Sequence, residues 1–345
     1  MIKRFIRYIL TICCTALCLG TNAQDGTTAY NFLKITTSTH AYGLGGTNIS
    51  IIDDDINLYE QNPALLGPEV DMQLGFSYMR YLGDSNFASV RFGKEAGERA
   101  AWAVGIRYFG YGSMMGYDDQ GVEMGTFNPR DIVFSGTYSH DFSDYVRGGI
   151  TLNMIQSSYE QYSAFAIGAD LGINYYNQEK DLSLSAAIKN LGGQVKKFNE
   201  TSDKLPWDIQ LGYTQRLMKG PFRLSITATN LNKWKLPYYK RVDNNDPNSD
   251  IELTEKFMSS LFRHLIFGLE YAPAGKFYLG VGYNYKTKTD MSTFNRNFLS
   301  GFSATAGLNT SKLRIGLAFA QPHTGGTTFM VNFSTNLYEF KRNDK

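Results

Sequence analysis

Residues 329–338 read FMVNFSTNLY, and the order of apolar and polar side chains in this stretch decides the fold. Phe329, Val331, Phe333 and Leu337 lie on one face, and the other face is mostly polar, with Asn332, Ser334 and Asn336. A period of two is typical of a β-strand with one apolar and one polar face. The same alternation recurs in residues 222–229, 277–286 and 313–319. The repeated pattern predicts an all-β fold.

Fourteen segments of this kind can be read along the chain, most of them about ten residues long, which is the length of a tilted strand that crosses a bilayer. Strands of soluble proteins are shorter, about five or six residues. The predicted strands are residues 72–81, 86–94, 100–109, 131–140, 145–156, 162–176, 181–190, 207–216, 221–231, 264–272, 276–286, 298–308, 311–320 and 327–338.

The connections between these strands fall into two classes. Those after even-numbered strands are short, and the long ones (110–130, 191–206, 232–263 and 287–297) follow odd-numbered strands. Outer-membrane barrels have short periplasmic turns and longer outer loops, whereas Greek-key sandwiches do not sort loops in this way. The sequence therefore predicts an antiparallel transmembrane β-barrel of about fourteen strands, with both termini on the periplasmic side. A soluble exported β protein that binds sugars or cell wall is the alternative.

The first 23 residues have the features of a signal peptide, with Lys3, Arg4 and Arg7 ahead of an apolar run. All three cysteines of the chain lie in this segment, which excludes disulfides, cysteine-bound zinc and thiol catalysis from the mature protein. The formal net charge of +2 argues against a broad nucleic-acid surface.

The sequence carries no recognisable catalytic or nucleotide-binding motif. The four histidines (His40, His140, His264 and His323) are far apart, and each is interpreted as an ordinary loop or strand-end residue. We therefore expect no enzyme activity, no cofactor and no metal site.

Residues 24–70 precede the first strand and are interpreted as a plug, followed by the barrel at 71–340 and a charged tail at 341–345. A fourteen-stranded barrel is wider than its own side chains can fill. The candidate plug residues are Gly45, Gly46, Asp53, Asp54, Asp55, Asn62, Pro63 and Ala64. We expect the acids to meet lumen-facing Arg147, Arg216, Arg223 or Arg314, and Pro63 to stop any helix that begins near Ile56. Calcium binding by the three acids is the less favoured alternative.

The stretches 45–50 (GGTNIS), 53–55 (DDD) and 62–66 (NPALL) resemble the start of the PorQ/PorV family of type IX secretion system outer-membrane proteins, relatives of the FadL-like barrels. Residues 31–35 and the modest length are closer to the PorQ branch. The charged tail after Phe340 departs from the terminal aromatic residue of typical barrels.

The resemblance implies a role that the residues alone do not give. It implies a non-enzymatic anchor for a surface attachment complex with PorZ- and PorU-type partners, which processes secreted cargo and fixes it to surface lipopolysaccharide. Membrane lipid is then a further partner. The alternative is a FadL-like transporter of small hydrophobic molecules, with weak signs of a strand break at Gly148-Gly149 and at 110–112.

Aromatic residues in the long loops are the candidates for partner binding, because aromatic side chains dominate binding hot spots. An equally weighted interpretation is that they form an interfacial girdle. The candidates are Trp234, Tyr238 and Tyr239 in loop 232–263, and Tyr111 and Tyr117 in loop 110–130.

Overall fold

The computed structural model describes residues 28–199, 202–218, 220–242, 249–273, 276–290, 299–310, 312–323 and 326–341. The predicted signal peptide, the tail residues 342–345 and the acidic loop residues 243–248 lie outside these ranges.

Fourteen antiparallel strands form a closed barrel, because the first strand pairs with both the second and the last. All fourteen predicted strands are confirmed. The strands of the described residues are β1 (Gln73–Arg80), β2 (Asn86–Glu95), β3 (Ala100–Gly110), β4 (Met114–Tyr117), β5 (Glu123–Phe127), β6 (Arg130–Asp141), β7 (Val146–Tyr159), β8 (Tyr162–Asn177), β9 (Leu182–Lys196), β10 (Asp208–Arg216), β11 (Phe222–Ala228), β12 (Tyr238–Arg241), β13 (Ile251–Thr254), β14 (Leu265–Tyr271), β15 (Phe277–Asn284), β16 (Phe302–Asn309), β17 (Leu313–His323) and β18 (Gly326–Asn336). β4 pairs only with β5, and β12 only with β13, as two hairpins outside the wall.

The wall of the barrel exposes apolar side chains and buries polar ones. Leu152 is 55% exposed and Leu279 is 52% exposed, whereas Asn153 and Thr227 are almost fully buried. A soluble protein has the opposite arrangement. The outward belt is therefore suited to lipid, and the inward face surrounds a polar interior.

The connections follow the predicted division. The short connections lie at one end, where they join β2 to β3, β6 to β7, β8 to β9, β10 to β11, β14 to β15 and β16 to β17. The long connections lie at the other end, which is called the loop end below. They carry the two hairpins and the helices α2 (Phe257–His264) and α3 (Tyr285–Asp290), which the strand pattern did not predict. No helix within the described ranges is long and apolar enough to cross a membrane.

The segment before β1, residues 28–72, is called the inner segment. It holds α1 (Thr39–Gly43) and three short 3-10 turns, Ala29–Lys34, Pro63–Leu65 and Pro68–Val70. Its residues contact β2, β3, β6, β7, β8 and β15 to β18, so it lies inside the barrel. A last short helix, α4 (Tyr338–Lys341), follows β18.

The two ends of the described chain lie at opposite ends of the barrel. Gln73 and Asn336 pair where the wall closes, at the short-turn end. The hydroxyl of Thr28 instead donates to the carbonyl oxygen of Lys204, in the long connection between β9 and β10. The even strand number thus places the two ends of the wall together at the short-turn end, whereas the described part of the inner segment begins at the loop end. That both termini are periplasmic stays a prediction.

Candidate functional site: the barrel lumen

The Asn-Pro-Ala motif forms a tight turn against the wall. The Oδ1 atom of Asn62 accepts from the Ala64 N–H at 2.9 Å, and its Nδ2 donates to the Ile49 carbonyl at 3.0 Å. Pro63 occupies the first position of the turn, where no N–H is needed. No helix is present at residues 56–61, and Pro63 begins a short 3-10 turn of its own.

Two wall glycines make room for this turn. A Cβ atom on Gly172 would lie 1.8 Å from Asn62 Oδ1, and one on Gly149 would lie 2.5 Å from the Pro63 carbonyl carbon. Gly149 pairs regularly with Ser139 and Gly172, so the Gly148-Gly149 pair does not break its strand. The register shifts instead between β8 and β9, near Asp170.

Gly45 and Gly46 bring the backbone close to the opposite wall. Their φ angles of +104° and +94° are unfavourable for other residues. The Gly45 N–H donates to the Ser303 hydroxyl at 2.9 Å, and a Cβ on Gly282 would lie 2.1 Å from the Gly45 nitrogen. The glycine cluster therefore serves close packing.

A buried ion-pair cluster joins the inner segment to three strands. His40 on α1 contacts the Glu270 carboxylate of β14 through Nε2, and its Nδ1 lies 3.4 Å from Asp53 Oδ2. Arg223 on β11 binds the other Glu270 oxygen at 2.5 Å. Arg314 on β17 binds Asp53 at 3.1 Å. These five residues are called the His40 cluster.

The cluster keeps His40 in its charged form. Burial acts to lower the pKa of His40, but the Glu270 and Asp53 carboxylates outweigh it and raise this pKa to about 9. Burial likewise opposes the charged form of Asp53, yet His40 and Arg314 hold the pKa of its carboxyl well below the usual range. The cluster is thus a set of alternating charges at neutral pH.

The three consecutive acids take different roles. Asp53 belongs to the His40 cluster, and Asp54 lies 3.6 Å from Arg314 Nη2. Asp55 accepts from the backbone and side-chain N–H groups of Asn57, so it caps a turn. No group of three or more His, Cys, Asp or Glu side chains in the described ranges is placed to hold a metal ion.

Of the four arginines expected to meet the acids, Arg314 does so directly. Arg223 donates to the Ile52 carbonyl at 3.0 Å and reaches the acids through Glu270. Arg147 binds Glu69 of the inner segment at 2.8 Å, together with Asp141 of the wall. Arg216 pairs with Asp181, in the short turn before β9, so this part of the expectation was wrong.

A second charged cluster lies deeper in the lumen around Glu60. Its carboxylate binds Arg107 at 2.7 Å and also contacts Arg91 and the Thr37 hydroxyl. Lys189 donates to the Glu60 carbonyl at 2.6 Å. Burial acts to raise the pKa of Glu60, but the positive charges of Arg107 and Arg91 outweigh burial. The net pKa is lowered, so this carboxyl stays ionised. The inner segment is therefore tied to both β2 and β3.

Nearer the loop end the lumen becomes apolar. Each of several neighbouring strands turns an apolar side chain inward. Most of these residues are cross-strand partners, as Met79 is of Phe87 and of Met330. We call this set the apolar arc: Met79, Phe87, Phe109, Val133, Ile155, Ala166, Ala318 and Met330. Tyr30, Phe32 and Leu33 pack against it, and the rings of Phe32 and Phe109 are 5.1 Å apart. The inner segment thus fills the apolar arc with its own side chains.

A cavity of about 260 Å³ lies beside this apolar region. Its lining includes apolar Leu33, Ile35 and Tyr42. It also includes charged Lys34, Lys189 and Asp208. The cavity therefore offers both apolar and charged groups to a small molecule.

The loop aromatics lie in different surroundings. Tyr117 and Tyr239 are 60% and 59% exposed. Trp234 stacks on His264, and Tyr238 lies under the Arg263 guanidinium. Tyr111 was wrongly interpreted as a surface anchor, because its hydroxyl donates to buried Asp131 at 2.6 Å and its ring packs on Phe109.

Sequence reasoning missed the residues at the centre of the lumen. His40 was interpreted as an ordinary residue because histidine spacing gives no sign of a partner 230 residues away. Arg91, Arg107 and Glu270 did carry a signal, because each is a charged residue on the inward face of a strand. Their pairing with His40 and Glu60 required the closed barrel.

No protein-family model and no curated protein sequence matches the chain. Solved structures do match in fold. The toluene transporter TbuX of Ralstonia pickettii has a TM-score of 0.54 and 12% identity, over 88% of this chain and 99% of that one. The toluene transporter TodX of Pseudomonas putida has a TM-score of 0.51 and 12% identity, over 88% and 98%. A FadL homologue of Pseudomonas aeruginosa has a TM-score of 0.51 and 12% identity, over 87% and 98%.

These matches span nearly the whole of each neighbour, so the chain has the fold of the FadL-like barrels. Together with the apolar belt, this fold is that of an outer-membrane β-barrel.

Proposed function

We propose that the chain is a plugged outer-membrane channel for small hydrophobic molecules, with the inner segment as the plug and the loop end outside the cell. The apolar arc carries this proposal. Inward-facing Met79, Phe87 and Phe109 give this end of the lumen an apolar surface that a small hydrophobic molecule can bind. The fold shared with two toluene transporters supports the same class of molecule.

In this proposal the molecule enters beside the cavity and takes the place of Tyr30, Phe32 and Leu33. Residues 29–34 form a short 3-10 helix, a structure with weaker hydrogen-bond geometry than an α-helix. Tyr30, Phe32 and Leu33 of this helix pack against the apolar arc, and Gln194 donates to the Tyr30 hydroxyl. Glu60 and Asp53, later in the inner segment, make ion pairs with the wall. In this proposal, residues 29–34 are the part of the plug that moves when the molecule binds.

Methyl-labelled methionine gives a direct test with toluene as the probe. Met79 and Met330 lie in the arc, Met154 faces lipid and Met114 lies in a loop hairpin. We expect saturable shifts of the Met79 and Met330 methyl signals in lipid nanodiscs, and stronger binding in a Phe32→Ala variant. Non-saturable shifts equal to those of Met154 would refute binding in the arc.

A second candidate is the anchor of a type IX attachment complex that the sequence resemblance implies. It is favoured by the ion pairs that tie the plug to the wall on several sides, and by the exposed hairpins. Met124 is 69% exposed and Leu253 is 50% exposed, beside Tyr117 and Tyr239. In this case the hairpins bind a PorZ-type surface protein, and the lumen is closed permanently.

Affinity purification in detergent separates the two candidates. The anchor is supported if secretion-complex subunits co-purify with the wild type. They should no longer do so when residues 114–127 or 238–254 are replaced by short Gly-Ser linkers. Deletion of 244–250 alone should leave the barrel folded. Recovery of the barrel alone, together with saturable toluene binding, supports the channel.

A further inference from the structure

Helix α2 exposes its apolar face and buries its polar face. Phe257, Met258 and Phe262 share one face and are 61%, 57% and 43% exposed, whereas Ser260, Arg263 and His264 are buried. This is the same inversion as in the barrel wall, where apolar side chains face outward. A helix that met only water on its outer face would present Ser260 and Arg263 there instead. The exposed face of α2 therefore requires an apolar or interfacial environment.

The position of this helix along the barrel is fixed by its neighbours. α2 ends at His264, and β14 begins at the next residue. His264 contacts the carbonyl oxygens of Thr229 and Trp234, at 2.7 and 3.1 Å. The Trp234 ring stacks on the His264 ring at 5.5 Å and lies 5.8 Å from the Phe257 ring. Trp234 and α2 thus lie at the edge of the wall, not at the tip of a loop.

The exposed face of α2 is continuous with the lipid-facing belt. Val281 and Tyr283 follow each other on the outward face of β15, and the Tyr283 ring packs on outward-facing Phe302 at 4.8 Å. Tyr285 comes next, and its ring lies 6.1 Å from the Phe262 ring. Apolar and aromatic side chains therefore lead from the belt to α2, and the Lys288 ammonium lies over the Tyr283 ring among them.

We propose that α2 and Trp234 lie in the boundary between the headgroups and acyl chains of the surrounding bilayer, as an amphipathic anchor at the loop end. Tryptophan and tyrosine favour this boundary, and short amphipathic helices enter it with their apolar face. Arg263, held by Asp290 of α3 at 2.6 Å, fixes the helix from the protein side. The occupant of the exposed face is lipid, and the inference is independent of what passes through or binds to the barrel.

The test uses the intrinsic fluorescence of a single tryptophan. Trp102 and Trp207 are replaced by phenylalanine, which leaves Trp234, and the protein is refolded into phosphatidylcholine vesicles with bromine at a shallow or a deep acyl position. A matched control carries Tyr239→Trp on a background without the three natural tryptophans. Tyr239 lies on hairpin β12–β13, outside the wall, and is 59% exposed.

We expect the shallow bromine to quench Trp234 several-fold more than the deep one, and aqueous iodide to quench it weakly. The control at position 239 should show the reverse, with strong iodide quenching and no effect of bromine. If bromine at neither depth quenches Trp234, the proposal is overturned. This holds both if iodide quenches the ring, which then lies in water, and if iodide does not, because the ring is then covered by protein. Resistance of each barrel to unfolding in detergent without heating confirms that the variants are folded.

Discussion

The charge on His40 should make the hold of the plug on the wall depend on pH. His40 is 1% exposed, so its interactions are little screened by solvent. The pKa of His40 is raised from 6.5 to about 9, which corresponds to about 3 kcal/mol at about 1.4 kcal/mol for each pH unit. Because the pKa is raised in the folded state, this stabilisation is complete below pH 6.5 and is lost as the pH rises through 9.

The perturbation is His40→Gln, which keeps a polar side chain of similar length but removes the titrating charge. The free energy of unfolding in urea is measured for the refolded barrel on both sides of this pH window, together with conductance in planar bilayers. The wild type should lose about 3 kcal/mol across the window and conduct more at high pH. His40→Gln should be less stable at low pH and lack that slope.

His140→Gln is the matched control, because His140 is exposed on β6 and lies outside the His40 cluster. It should keep the wild-type slope. Equal slopes in the wild type and in His40→Gln would refute the reasoning, because the titrating group would then not be His40.

Two further substitutions test other contacts of the plug. Gly172→Ala places a Cβ against Asn62 Oδ1 and should lower the free energy of unfolding by about 1–3 kcal/mol. Gly136→Ala is the control, because a Cβ there meets nothing within 4 Å, and it should leave this free energy unchanged. Equal effects of the two variants would contradict the close approach of Asn62 to Gly172. Glu60→Gln leaves the Arg91 and Arg107 charges unbalanced and should cost about 3 kcal/mol in the same assay. Asp144→Asn, which removes only an exposed pair with Arg99, should cost less than about 1 kcal/mol, and a similar loss in both variants would count against the Glu60 cluster.

The sequence predicted the wall better than the lumen, for a physical reason. Period-two alternation is a local property, so strands such as β1 and β18 could be read from their own residues. The extension of β9 to Lys196 was missed because Asn190 and Gly192, with positive φ angles, resemble the start of a loop. The rest of that strand still pairs with β8 after a shift in register.

The contacts of the plug depend on closure of the barrel and are not local. His40 meets Glu270, and Glu60 meets Arg107, only when distant strands are brought around the inner segment. The hairpins β4–β5 and β12–β13 and the helices α2 and α3 were missed because the long connections were interpreted as loops. The inverted face of α2 was visible in residues 257–262, but its meaning depended on its position beside the belt.

The central claim is that the apolar face of this wall meets lipid. Spin labels on single cysteines at Leu152 and Val281 test it directly, since the natural cysteines all lie in residues 1–23. In lipid vesicles both labels should collide readily with oxygen and rarely with a water-soluble nickel complex, and a label at Tyr117 on a loop hairpin should do the reverse. Labels at Leu152 and Val281 that meet the nickel complex as readily as oxygen, or that neither reagent reaches, would contradict the account.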